Sequence, residues 1–173
     1  GGGQHFSFFN QPVAAEANSQ MFWASLRPLL EGNPEALARL DAIREGFAEA
    51  MAQELDAMWA SKLGLVRYDA ALVQELLQLM VASKADYTIF FRRLSDLPEH
   101  VSALQESFYV PCSEELDAQW TSWLQRWRHQ VTGSGDPRET AAAMKRVNPA
   151  VTWREWLIAP AYEQAAQGDY GLV

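Results

Sequence analysis

The stretch Ala85-Asp86-Tyr87-Thr88-Ile89-Phe90-Phe91-Arg92-Arg93-Leu94-Ser95, taken with the earlier Lys62-Leu63-Gly64-Leu65, decides how this chain folds. Asp86 places a short acceptor side chain where a helix would begin, and its carboxylate can take the free N–H groups of the first turn. Phe90 and Leu94 follow four residues apart and share one side of that helix, while Phe91, Arg92 and Arg93 spread around the rest. Such a segment is a core anchor. It carries no chemistry of its own, and the physical reading is a soluble helical domain.

Upstream of it, Asn10-Gln11-Pro12 opens a first helix, because a proline in the first turn needs no amide donor. That helix is expected over about residues 12 to 30, with Ala15, Phe22, Leu26, Leu29 and Leu30 as its apolar stripe and Pro28 ending it. Asn33-Pro34 repeats the start signal. Leu37, Leu40, Phe47, Met51, Leu55 and Met58 then mark the longest helix, which runs to about Leu63 and stops at Gly64. Asp69 caps a third helix whose Leu72, Val73, Leu76, Leu77, Leu79 and Met80 make a stripe wide enough for the middle of a bundle.

Downstream, Val101, Leu104 and Phe108 predict a short amphipathic helix between Pro98 and Pro111. Ser113 caps a helix on which Leu116, Trp120, Trp123, Leu124 and Trp127 keep helical spacing; three indoles with leucine between them are a core face and not a stacking platform. Gly133-Ser134-Gly135 is the clearest linker, placed between sub-bundles. Asp136-Pro137-Arg138-Glu139 is a capping box that starts a short helix of Ala141 to Arg146. Asn148-Pro149 is read as the start of a last helix through Trp153, Trp156, Leu157, Ala161 and Ala165, interrupted by Pro160 and stopped by Gly168. No segment alternates with period two. The expectation is an all-α multi-helix bundle: residues 1–9 a lead-in, residues 10–173 a single helical domain.

At 173 residues, 49% hydrophobic with seven Trp, the chain can bury a real core. Its net charge of −8 opposes sequence-independent binding to nucleic acid or to an anionic membrane. Arg92-Arg93, Arg126 with Arg128, and Lys145-Arg146 read as solvated helix faces. One cysteine, Cys112, excludes an intrachain disulfide and suits a reducing compartment. With no apolar run near the ~20 residues of a membrane span, and neither basic start nor apolar segment of a signal peptide in the first 30, the expected location is cytoplasmic.

Chemistry is hard to assemble from these residues. His5, His100 and His129 are at no ligand spacing from one another or from Cys112. Cys112 would need a neighbouring base to act as a nucleophile. Gly1-Gly2-Gly3 lacks the following Lys and Ser or Thr of a phosphate loop, and Gly133-Ser134-Gly135 lacks the strand in front of one. Carboxylates scatter along polar helix faces; Asp86 and Glu163, beside aromatic residues, are the two expected to be buried.

Four blocks, however, keep an order and spacing that resemble one family. They are Phe6-Ser7-Phe8-Phe9-Asn10-Gln11-Pro12 with Asn18 and Leu26-Arg27-Pro28-Leu29-Leu30; Lys62-Leu63-Gly64-Leu65; Asp86-Tyr87-Thr88 with Phe91-Arg92 and Leu94-Ser95; and Met144, Val147-Asn148-Pro149, Arg154, Trp156-Leu157, Ala159, Ala161, Glu163 and Gly168-Asp169. Together they are similar to the C-terminal helical part of the selenoprotein O (SelO) family, pseudokinase-fold protein adenylyltransferases. Glu155, Pro160, Tyr162 and His5 depart from the family pattern.

The resemblance implies the distal part of the large lobe of such an enzyme. In the family the nucleotide-binding lysine, its glutamate partner, the catalytic aspartate and the metal-binding residues precede the block matched by Phe6 to Pro12. The implied catalytic, cofactor-binding and metal residues of this chain are therefore none, and ATP with Mg²⁺, used to transfer AMP to protein hydroxyls, belongs to the intact protein. The implied partners are the kinase-like portion and protein substrates, with self-association through surface left apolar, and neither nucleic acid nor membrane. Asp86, Arg92, Asn148 and Arg154, polar within apolar matching blocks, are expected to cap or bridge helices. A stand-alone helical interaction module without enzymatic role is the alternative.

Overall fold

Asp86 begins the helix it was expected to begin: its carboxylate accepts from the Ile89 N–H at 3.0 Å, and α4 runs Tyr87–Leu94. The computed structural model describes residues 10–133 and 135–172. The lead-in, with His5 and the start of the first family block, lies outside the described residues, as does Ser134 of the glycine linker. About 74% of the described residues are helical, and no strand occurs among them, where Ala85 and Phe108 form an isolated bridge.

The chain falls into two compact units, one up to Met58 and the other from Trp59. Gly133 and Gly135 lie within the second. In the first, α1 (Gln11–Leu26) is followed by a 3-10 turn, Arg27–Leu30, and by α2 (Pro34–Leu63). Gly32, at φ +89°, makes the reversal, a conformation that a Cβ disfavours, and the Asn33 side chain accepts from the Ala36 N–H at 3.1 Å. The inward face of α1 differs from the expected stripe. Phe22 is 61% and Leu29 78% exposed, while Trp23 is buried edge-on against Phe47, centroids 5.3 Å apart. One residue of phase is 100° on a helix, and here the larger ring takes the inner position.

The second unit starts with the last turn of α2. Gly64, at φ +66°, stops that helix; a Cβ there would lie 2.7 Å from Met144 Sδ and 2.9 Å from Thr140 Cγ2, so the left-handed turn also lets the chain pass close to α6 (Pro137–Val147). Asp69 caps α3 (Ala70–Ala82), whose Leu72, Val73, Leu76, Leu79 and Met80 are buried. After α4, the expected short amphipathic helix is a 3-10 helix, Val101–Ser107, which buries Val101 and Leu104. Ser113 caps α5 (Glu114–Thr132).

The tryptophans of α5 are the centre of this unit. Trp120, Trp123 and Trp127 are fully buried. Trp123 donates to the Leu72 carbonyl at 2.9 Å and Trp127 to the Leu63 carbonyl at 2.8 Å, tying α5 to α3 and to the end of α2. Phe90 of α4 packs against Trp120 at 5.2 Å. Each indole supplies a large apolar body, and Trp127 also satisfies a carbonyl of the last turn of α2.

The end of the chain corrects one expectation. Asn148-Pro149 does not start a helix: Asn148 is the C-cap of α6, residues 149–154 are not helical, and α7 spans Glu155–Ala166 with Pro160 inside it. The Asn148 side chain is fully buried and bonded elsewhere, so it cannot cap a following helix. Glu163, expected to be buried, is exposed on α7.

Candidate functional site

Helix α4 is gripped at both ends by side chains from the segment joining α6 to α7. At its C-terminal end the Asn148 amide is buried among three partners. Lys62 Nζ donates to Asn148 Oδ1 at 2.9 Å, and Asn148 Nδ2 donates to the Lys62 carbonyl at 2.8 Å and to Ser95 Oγ at 3.0 Å. Ser95 in turn donates to the Phe91 carbonyl at 2.8 Å. Arg92 completes this end with Nη1 donating to the carbonyls of Lys145 and Asn148, both at 3.2 Å. The last carbonyls of α6 are thus met by a cation, which also suits the negative end of that helix. The solvated face proposed for Arg92 on charge grounds is therefore wrong.

At the N-terminal end of α4, Arg154 makes a two-pronged pair with Asp86, Nη2–Oδ1 2.9 Å and Nη1–Oδ2 2.8 Å. Tyr109 donates its hydroxyl to Asp86 Oδ2 at 2.7 Å. Burial of Asp86 pushes its carboxyl upward, but the bonds from Arg154, the Ile89 amide and Tyr109 outweigh that and hold it at about 2. The bond to Asp86 raises Tyr109 above the usual phenol range.

Between the two ends lies the aromatic flank of α4. The Lys62 ammonium sits 4.5 Å from the Phe91 ring centroid and 5.0 Å from that of Tyr87, an attractive placement for a cation short of water. Burial lowers the Lys62 amine below its ordinary value and raises the Tyr87 phenol to about 12.

The structure thus brings together all four residues singled out in the sequence, Asp86, Arg92, Asn148 and Arg154, around α4. Lys62, Ser95 and Tyr109 join them without having been foreseen. A signal existed for Lys62, the charged member of an otherwise apolar matched block; Ser95 closes the α4 block, and Tyr109 gave none. Arg126 pairs with Glu75, Arg128 with Glu99, and Lys145 with Asp96, rim contacts worth little each.

This arrangement fixes helices to one another. Every functional group of Asp86 and Asn148 is occupied by protein partners. Burial, with Asp117 nearby, raises the Cys112 thiol, the opposite of nucleophile activation. Among the described residues no three His, Cys, Asp or Glu side chains gather where they could hold a metal, so these residues do not fit the Mg²⁺ that the resemblance implies for the intact family protein.

A helical scaffold fastened by a buried polar clamp is the class of structure that the described residues define. The chain belongs to the family described as "Protein adenylyltransferase SelO", which it matches over residues 2–172. Among its relatives are proteins called "Protein nucleotidyltransferase YdiU" from Rhizobium etli (strain CIAT 652), 35% identical over 175 residues, and from Pseudomonas aeruginosa (strain LESB58), 37% identical over 170. The alignments cover 96% and 95% of this chain but 34% and 33% of those proteins. A third, from Tolumonas auensis (strain DSM 9187 / NBRC 110442 / TA 4), is 32% identical over 180 residues, or 97% of this chain and 33% of its own length. The chain thus spans about a third of the length of these relatives.

Proposed function

We propose that this chain is the distal helical segment of a SelO-type, pseudokinase-fold protein adenylyltransferase, a structural and non-catalytic part of a cytoplasmic enzyme that transfers AMP from ATP to protein hydroxyls. The clamp on α4 is the observation that carries the reading. Polar residues in the family blocks are engaged with helix ends and with one another, as in a buttress, instead of facing a cavity where a substrate would sit. Nucleotidyl transfer needs cations and Mg²⁺ arranged around the phosphates. In this reading those groups belong to the kinase-like portion that the segment supports, and the protein substrates meet the assembled enzyme.

A calorimetric titration of the 173-residue chain with ATP and Mg²⁺, repeated at two temperatures so that a vanishing enthalpy cannot hide binding, tests this. No saturable heat is expected, and saturable binding would place a nucleotide site in these helices and overturn the division of labour. The second reading, a stand-alone interaction module, draws support from the exposed apolar residues of α1 and α7, Met21, Phe22, Trp156 and Tyr162. Detection of a kinase-like small lobe encoded upstream in the same reading frame would reject it.

A further inference from the structure

Asn148 is the last buried residue among those described. From Pro149 to Leu172 none is buried, and α7, with Ile158, Ala161, Gln164 and Ala165 only half-buried, adds nothing to the core. The helix is also weak in itself. It has 12 residues, a length that does not persist alone in water. Pro160 inside it withholds the N–H that would bond the Trp156 carbonyl, and Arg154, at its N-cap, makes no capping bond.

One side chain holds this stretch in place. Residues 149–153 make no hydrogen bond among the described residues, and the hydrogen bonds that tie residues 149–172 to the remaining ones there are those of Arg154 to Asp86. The Arg154 guanidinium meets both carboxylate oxygens, at 2.9 and 2.8 Å, and lies 5.4 Å from the Trp156 ring centroid. The same group therefore grips the start of α4 and the first turn of α7. Tyr109, donating to Asp86 Oδ2 at 2.7 Å, steadies the carboxylate that Arg154 holds. The two fastenings of α4 differ in depth: Asn148 is fully buried, whereas the Arg154 side chain is 24% exposed. Release at Arg154 can leave Asn148 seated.

The structure assigns Arg154, with Asp86 and Tyr109, the role of a latch on which the order of residues 149–172 depends. Latched, α7 is a helix; unlatched, residues 149–172 lose their order while the rest of the second unit, the Asn148 clamp included, stays folded. Opening bares the Asp86 carboxylate and the first turn of α4, so one end of α4 carries an order–disorder switch and the other a permanent fastening. A cation that competes for Asp86, or an anion that competes for Arg154, shifts the switch toward the open state. The inference stands on the contacts of this chain and is independent of the function proposed above.

Hydrogen exchange of the 173-residue chain, in urea below its unfolding transition, tests the latch. The amides of α7 should exchange with a shallow urea dependence, because the opening exposes little surface, and those of α5 with the steep dependence of global unfolding. In Arg154→Ala, and in Asp86→Asn, which keeps an acceptor for the Ile89 N–H, protection of the α7 amides should fall at least about tenfold with the shallow dependence retained. Glu163→Gln, exposed on α7, should change it less than about twofold. Either latch variant decides the matter if the other fails to fold. Equal urea dependence for α7 and α5 in the parent chain, α7 protection unchanged by the latch variants, or an equal loss in Glu163→Gln would each overturn the proposal.

Discussion

Replacing Asn148 by Ala should be among the most damaging substitutions in this chain. Asn148 is fully buried and makes three hydrogen bonds, two of them to the same residue, Lys62. Its loss strands two groups: the Lys62 ammonium, itself nearly buried, and the Lys62 carbonyl at the end of α2. The Ser95 hydroxyl is less affected, since it keeps its own bond to the Phe91 carbonyl. An unsatisfied buried polar group costs about 1–3 kcal/mol, more when charged, so the two together cost about 3–5 kcal/mol. Partial compensation from the Phe91 and Tyr87 rings, which still face the ammonium, favours the lower half of that range. Asn148→Asp restores an acceptor for the ammonium but presents no donor to the Lys62 carbonyl, so it should fall between Ala and the parent. Urea unfolding followed by both tryptophan fluorescence and circular dichroism gives the numbers, with coincident transitions checking that two-state treatment holds for a chain of two units. Lys62→Met completes a double-mutant cycle, because with the cation gone Asn148→Ala has one fewer group to strand; a coupling of at least about 1 kcal/mol is expected. A loss below about 1 kcal/mol for Asn148→Ala, with no coupling to Lys62, would refute the buried clamp.

Two further outcomes follow from the same structure. The Asp86 carboxyl, held at about 2 against an ordinary value of ~3.9, binds fewer protons folded than unfolded in that interval. Its contribution is complete above about pH 4 and is lost as pH falls through about 2; urea midpoints measured from about pH 2 to 5 should lose that part of their slope in Asp86→Asn, and an unchanged acid limb would contradict the pairing with Arg154. Trp123→Ala removes a fully buried indole and its bond to the Leu72 carbonyl, at a cost of about 3–5 kcal/mol in the same urea assay, and a cost under about 1 would deny its central place.

Periodicity and capping made most of the architecture legible, because those signals are local. Asp69, Asp86, Ser113 and Asp136 each announce a helix and each caps one, with the side chain accepting from the backbone of the first turn. The α5 stripe was readable for the same reason: spacing by threes and fours with indoles inside has one comfortable solution, burial. Where the reading failed, a distant partner had overruled a local rule. Asn148 before Pro149 has the composition of a helix start, yet its amide is claimed by Lys62 and Ser95, residues far earlier in the chain. Phe22 and Trp23 are adjacent candidates for one inward position, and no local rule ranks them. The polar centre was half legible: charged and amide residues inside apolar blocks stood out, but that Lys62, Ser95 and Tyr109 would meet them depends on how α2, α4 and the segment after Ser107 come together.

The grip on α4 has a consequence in time. An eight-residue helix is too short to persist alone in water, and its fastenings lie 53 residues ahead at Asn148 and 68 ahead at Arg154. During synthesis α4 leaves the ribosome well before either exists. Its aromatic face must wait, exposed or loosely collapsed, until α5 and then the segment after α6 arrive, and the step that locks α4 is then also the step that seats the start of α7. In the finished protein the same dependence runs backwards: an opening that releases residues 148–154 frees α4 as well, so the amides of α4 should exchange with solvent together with that of Asn148.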